Sequence, residues 1–380
     1  MPRISDLLAA MQKIESTGSL NDKKLLEELW NQIGAPKGKA NTAPDADFEG
    51  DSNDVRDFVG WFKTLVSRQK ATPKTAERVQ ALELIESDFI GKPTPTGFPS
   101  INADKFAFQL ALRVREPRLI NQKNTNLCGP NSLLIQLAKD RPLQYVCLAI
   151  QLFREGKSTL DRMEVEPGVL IRSFYNKEAL GECDYVVLGS VRDSAAILLG
   201  DGMVRNVGLL TKPGVLCEWL RKSGYSEVED HTFFEVPGYV KPVDLMTHGT
   251  INAPRPTGFQ TPSNPNEKIA NLKEAANKLA AGKRIIMNAE AQLSQEVTAS
   301  SKRDRTTNSG LTGPSNAMTT HWCWVSKLNV DEKAGKVQQI KIYTWGGSFS
   351  AASLDLNDFV SRYSGFVSYD DGLITPAGTR

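Results

Sequence analysis

Apolar residues recur at helical spacing through the N-terminal part of the chain. Residues 4–14 place Leu7, Leu8, Met11 and Ile14 on one face, with Ser5 or Asp6 available as a cap. From about residue 22 a second stripe carries Leu25, Leu26, Leu29, Trp30 and Ile33, and Gly34 with Pro36 stops it. Residues 35–52 form a connector rich in Pro, Ala, Gly and Asp. A third helix presents Val55, Phe58, Val59, Phe62, Leu65 and Val66 on one side, and Thr72-Pro73 opens a fourth with Val79, Leu82 and Ile85. These patterns predict an N-terminal helical region over residues 1–100, serving delivery, docking or regulation. It is either a small domain of its own or a helical layer on the domain after it. The Pro/Gly-rich residues 92–99 are the candidate boundary.

Beyond that boundary the pattern predicts helices over residues 103–114 and 128–140. Another opens at Arg141-Pro142 with Leu143, Val146, Cys147, Ile150 and Phe153 on one face and stops at Gly156. A helix over 184–199, a short one over 216–223, and a proline-rich surface segment over 237–265 come next. Residues 269–281 read as a helix closed by Gly282, and 284–293 as a buried strand. Residues 294–320 form a long polar loop with a basic knot at 302–305. The alternation from residue 320 puts Trp322, Trp324 and Leu328 on one face and His321, Cys323 and Val325 on the other. A turn at Lys333-Ala334-Gly335 returns the chain through residues 337–345, which predicts a hairpin. A helix near residues 356–363 and a weakly ordered tail complete the expectation. The second region, residues 101–380, is therefore of the α+β class.

Composition narrows the function classes. The 380 residues are 40% hydrophobic and 24% charged, with a formal net charge of +2, so no electrostatic footprint points to nucleic acid. No stretch approaches the ~20 apolar residues of a membrane span, and the start lacks the apolar core of a signal peptide. The expectation is a cytoplasmic protein in the producing cell, leaving it, if at all, by a specialised secretion route. The five cysteines are odd in number and none is paired at metal-ligand spacing, so neither a disulfide framework nor a metal or other cofactor is expected.

Chemistry concentrates around one of them. The polar approach Asn124-Thr125-Asn126-Leu127 leads into Cys128-Gly129-Pro130, where a helix begins. A cysteine at a helix N-terminus has its thiolate favoured by the dipole, which is how a nucleophile is commonly placed. A thiolate needs a base, and the chain offers only His231, His248 and His321. His231 and His248 read as solvated loop residues beside the proline-rich segment. His321 heads an aromatic-rich strand and is the natural partner. Cys147 and Cys323 read as core, and Cys183 and Cys217 as structural.

With these residues in place the sequence resembles a papain-like cysteine peptidase. In that family a cysteine opens the central helix and a histidine begins a strand of the following β-layer. An orienting asparagine then stands before a Ser-Trp-Gly turn. Here Tyr343-Thr344-Trp345-Gly346 occupies the place of Asn-Ser-Trp-Gly, so Tyr343 fills the orienting position, with Thr344 as the other candidate. A backbone carbonyl, a water or a plain Cys–His dyad is the alternative. The family's oxyanion glutamine stands six residues before the cysteine, as Gln122 does here, and Asn126 (with Asn124) is a rival amide donor. The Cys-Gly-Pro start with a late His-Trp strand is also similar to bacteriocin-processing peptidases and to toxin domains delivered between bacteria as secreted effectors.

The resemblance covers roughly residues 101–370. It implies a papain-like fold, with a helical layer carrying the nucleophile packed on an antiparallel sheet. It further implies thiol protease activity on a protein or peptide substrate, with Cys128 as nucleophile and His321 as base and acid, and a cognate immunity or inhibitor protein as partner. Two alternatives stay open: a peptidoglycan amidase, glutamine deamidase or transglutaminase using the same pair, and a non-catalytic interaction protein.

Overall fold

The computed structural model describes residues 3–33, 48–92, 96–123, 125, 127–175, 180–198, 211–233, 264–290, 293–294, 297 and 320–372. The chain is α+β and forms two compact units. One comprises residues 1–160, 164–194 and 344–348, the other 161–163, 195–343 and 349–380.

The first unit is helical. Helices α1 (Ile4–Ser16), α2 (Asp22–Gln32), α3 (Ser52–Ser67) and α4 (Pro73–Leu84) are followed by α5 (Ala103–Arg115), α6 (Cys128–Asp140) and α7 (Pro142–Glu155). Side-chain caps explain most starts. Asn21 accepts from Lys24 N, Asp51 and Asp54 form a capping box, and Thr72 with Pro73 opens α4. Neither Ser5 nor Asp6 caps α1, whose N-cap is Arg3. Ile4 N instead donates to Glu49 O at 2.7 Å.

The break expected near residue 100 is not where the chain divides. Phe58 of α3 meets Phe108 of α5 at 4.9 Å between ring centroids, and Phe106 of α5 meets Phe153 of α7 at 4.7 Å. Each such ring, fully buried, contributes roughly 1.5–3 kcal/mol. Gly97 N donates to Phe153 O at 2.7 Å, and a Cβ on Gly97 would lie 2.2 Å from Gly156 N. The segment at 96–99 is packed backbone rather than a linker. The N-terminal helices are thus a layer of the unit that carries Cys128.

A two-stranded ribbon follows, β1 (Ser158–Leu160) with β2 (Met163–Val165). Then come α8 (Val169–Ser173), α9 (Glu182–Asp184), a π turn over Tyr185–Gly189 and α10 (Ser190–Leu198).

The second unit is built on a six-stranded sheet. Helix α11 (Pro213–Lys222) leads into β3 (Ser226–Asp230), and α12 (Pro265–Ala280) into β4 (Arg284–Glu290). Next are β5 (Thr320–Asp331), β6 (Lys336–Thr344), β7 (Gly347–Asp355), α13 (Leu356–Arg362) and β8 (Tyr363–Asp370). The strand order is β3-β8-β4-β5-β6-β7. The pairs from β3 through β6 are antiparallel, with Ala289 opposite His321 and Met287 opposite both Cys323 and Phe366. The Ile-Ile-Met run of β4 is buried on both faces, as a central strand requires, and α12 packs against β4, β5 and β8.

The tail expected after residue 363 is instead β8, buried along nearly its whole length. Its small residues permit close approach. Gly365 has φ +107°, and a Cβ there would fall 2.6 Å from His231 O. The predicted 320–345 hairpin is present, with Gly335 in its turn at φ +62°. Of the proline-rich segment, residues 237–263 lie outside the described residues, as do His248 and most of the 294–320 loop.

Candidate active site

Cys128 is the first residue of α6 and is 4% exposed. Leu127 at its N-cap makes no side-chain capping bond, and Pro130 has no N–H in the first turn. The positive end of the helix dipole therefore lies at Cys128. The other thiols stand in different settings. Burial pushes Cys217 up to about 12 and also raises Cys147, which is half-buried rather than part of the core. Cys183 and Cys323 are fully buried. Of the five cysteines, all free, Cys128 alone begins a helix.

The approach to Cys128 is built by residues that the sequence pattern did not single out. Asp184 and Arg113, both wholly buried, form a two-armed ion pair, Nε to Oδ1 at 2.8 Å and Nη2 to Oδ2 at 2.6 Å. The same Oδ2 accepts Asn121 N at 3.1 Å, and Asn121 Oδ1 accepts Lys123 N at 2.7 Å. Between them stands Gln122, 2% exposed, whose Oε1 has no hydrogen-bond partner among the described residues. One turn into α6, Asn131 and Ser132 are fully buried, and the Asn131 amide and Ser132 hydroxyl likewise have no partner among the described residues. Residues three and four along a helix share the face of Cys128, and their side chains tilt back toward its N-terminus. Asn124 and Asn126 lie outside the described residues.

The same unit contains the turn from β6 to β7. Thr344 is fully buried; Trp345 and Gly346 both have positive φ, +47° and +70°, as a two-residue hairpin of the primed type demands. A tryptophan there is a strained choice. Gly346 has a steric reason: a Cβ would stand 2.6 Å from Asn121 Nδ2. The Trp-Gly turn therefore seats against the residue before Gln122.

In the second unit His321 lies on β5 opposite Ala289, 4% exposed. Burial alone pushes its imidazole down to about 3, so the ring is neutral at neutral pH. Tyr343 pairs with Trp324, and their rings meet at 4.3 Å between centroids, with Lys341 Nζ 5.3 Å from the Tyr343 centroid. Directly paired residues share a face, and the register from His321 to Trp324 is unbroken. Three steps along the strand reverse the face, so Tyr343 lies on the side opposite His321. The expected orienting role of Tyr343 fails on that parity.

His231, expected as a solvated loop residue, is half-buried. Its ring stacks on Phe366 at 4.4 Å, and its Nε2 lies 2.9 Å from Glu229 Oε2. Among the described residues no group of three or more His, Cys, Asp or Glu could hold a metal ion, and no helix is long and apolar enough to cross a membrane. Comparison with family models, with curated proteins and with solved structures found no match to this chain.

Proposed function

We propose that this chain is a thiol-dependent hydrolase of the papain-like kind acting on a protein substrate, with Cys128 as nucleophile and His321 as its base. The observation that carries the reading is the company Cys128 keeps in one compact unit. It opens α6, the buried Gln122 precedes it by six residues, and the Trp345-Gly346 turn rests on Asn121. His321 enters as a neutral imidazole, held at about 3 by burial. Such a ring becomes imidazolium only against an anion, and a thiolate supplies one. It takes the thiol proton on attack and returns it to the leaving amine. Gln122 and the Cys128 backbone N–H receive the oxyanion. Thr344 is the remaining orienting candidate.

The test combines a chemical probe with a product assay. At mildly acidic pH, iodoacetamide should modify Cys128 ahead of the other four cysteines, and His321→Ala should slow that reaction. Incubation with a proteome should yield new protein termini, abolished in Cys128→Ala with the fold intact. Full activity in Cys128→Ala would remove the reading. Deamidated glutamine side chains in place of new termini would assign the pair to a different acyl group.

A further inference from the structure

We propose that Asn121 is a positioning residue for the oxyanion donor Gln122, an inference that rests on the reading of Cys128 as nucleophile. Gln122 is buried, yet its Oε1 has no partner among the described residues, so that oxygen does not anchor the side chain there. Its placement comes from the backbone on either side. On one side, the Asn121 N–H is fixed by Asp184, itself fixed by Arg113, whose Nη1 also donates to Gln109 O at 2.9 Å. On the other, Lys123 adopts φ +47°, a left-handed conformation that a non-glycine residue takes only under strain. The bond from Lys123 N to Asn121 Oδ1 closes an Asx turn that holds this conformation. The third tie is steric, since the Asn121 amide fills the space where Gly346 has no Cβ. Asp184 thus holds the backbone before Gln122, while the Asn121 side chain, on a residue 1% exposed, holds the backbone after it and meets the Trp-Gly turn.

A positioning role predicts a selective defect. With p-nitrophenyl acetate, the Cys128 sulfur forms a bond to the carbonyl carbon and the π pair moves to oxygen. That pair then returns as p-nitrophenolate leaves, and water hydrolyses the thioester to acetate and free thiol. With iodoacetamide, the thiolate displaces iodide at a saturated carbon and no oxyanion forms. The ratio of the acylation rate to the alkylation rate therefore reads the oxyanion site and cancels thiolate reactivity.

Gln122→Ala sets the scale, since loss of one oxyanion donor lowers a rate by ~10²–10³. Asn121→Ala should lower the ratio by about tenfold or more with alkylation unchanged, and Asn121→Ser, a weaker acceptor, by less. Adding Lys123→Gly should restore the ratio in either background, because glycine takes positive φ unaided. If Asn121→Ala does not fold, Asn121→Ser with and without Lys123→Gly carries the test. A wild-type ratio in these variants beside a low one in Gln122→Ala overturns the positioning role alone. A burst of p-nitrophenolate that survives Cys128→Ala overturns the reading beneath it.

Discussion

The two units bury polar groups by opposite means. In the helical unit a full ion pair, Arg113 with Asp184, sits at zero exposure and is satisfied by Gln109 O and Asn121 N. In the sheet unit His321 is just as deeply buried but is kept neutral, and the charged residues around His231 stand at the half-exposed rim. A buried charge survives only in a geometry that answers it, so the helical unit gains a fixed reference point for the loop before Cys128. A buried neutral imidazole carries no charge to be answered, but it makes the unit sensitive to acid.

The largest effect should come from breaking the buried pair. Asp184→Asn leaves the Arg113 charge uncompensated and should cost about 3–5 kcal/mol, read from the urea midpoint. Replacing both partners by apolar residues of similar volume, Arg113→Met with Asp184→Leu, should recover much of that stability. A loss below about 1 kcal/mol for the single variant would contradict a fully buried charge.

The counterpart in the sheet unit is a pH slope. The unfolded histidine takes a proton near pH 6.5, while folded His321 resists protonation down to about 3. Stability contributed by the neutral ring is therefore complete above 6.5 and declines as pH falls toward 3. The loss should reach about 2 kcal/mol by pH 5. His321→Gln removes the group from both states and should flatten that part of the profile. An unchanged slope would mean that His321 is not held neutral.

Which parts of this arrangement could be read from sequence depends on the same physics. Helices α1 to α4 were legible because each buries one stripe at helical period, and three of them start at a recognisable cap, as Thr72-Pro73 shows. The helix start at Cys128 was legible from Pro130, which suits a first turn. Strand β8 was not, because Ser364, Gly365 and Ser368 imitate a loop, whereas they are small residues in a crowded central strand. Strand β3 was missed because Glu227, Glu229 and Asp230 look solvated, as edge-strand charges should. Tyr343 looked right by position, but its face depends on pairing with Trp324, which spacing alone does not reveal. Asn121 left no sequence signal beyond one more polar residue in a turn. Arg113 did leave one: a charge four residues from Gln109 in a helix otherwise apolar nearly all round requires a buried partner.

A smaller effect tests the seat of the Trp-Gly turn. Gly346→Ala adds a Cβ that would meet Asn121 and places alanine at φ +70°. The backbone strain alone should cost about 1–2 kcal/mol. In the Asn121→Ala background the steric part of the cost should shrink while the strain persists. Equal costs in both backgrounds would show that Gly346 is retained for its φ and not for the contact.

The smallest effect belongs to the rim of the sheet unit and closes the comparison. Glu229 is lowered to about 2, first by the Lys278 hydrogen bond and then by that of His231. Because its folded pKa lies below the unfolded value near 4.5, its contribution is present above 4.5 and is lost as pH falls toward 2. The Glu229 side chain is 43% exposed, so water and salt screen both partners. Glu229→Gln should therefore cost only about 0.2–1 kcal/mol, and less as salt is raised. Its acid dependence begins near 4.5, below the 6.5 at which that of His321 begins, so above 4.5 only the His321 variant changes the slope. A salt-insensitive loss matching that of Asp184→Asn would mean that the rim carries buried charge after all, and the contrast between the two units would fail.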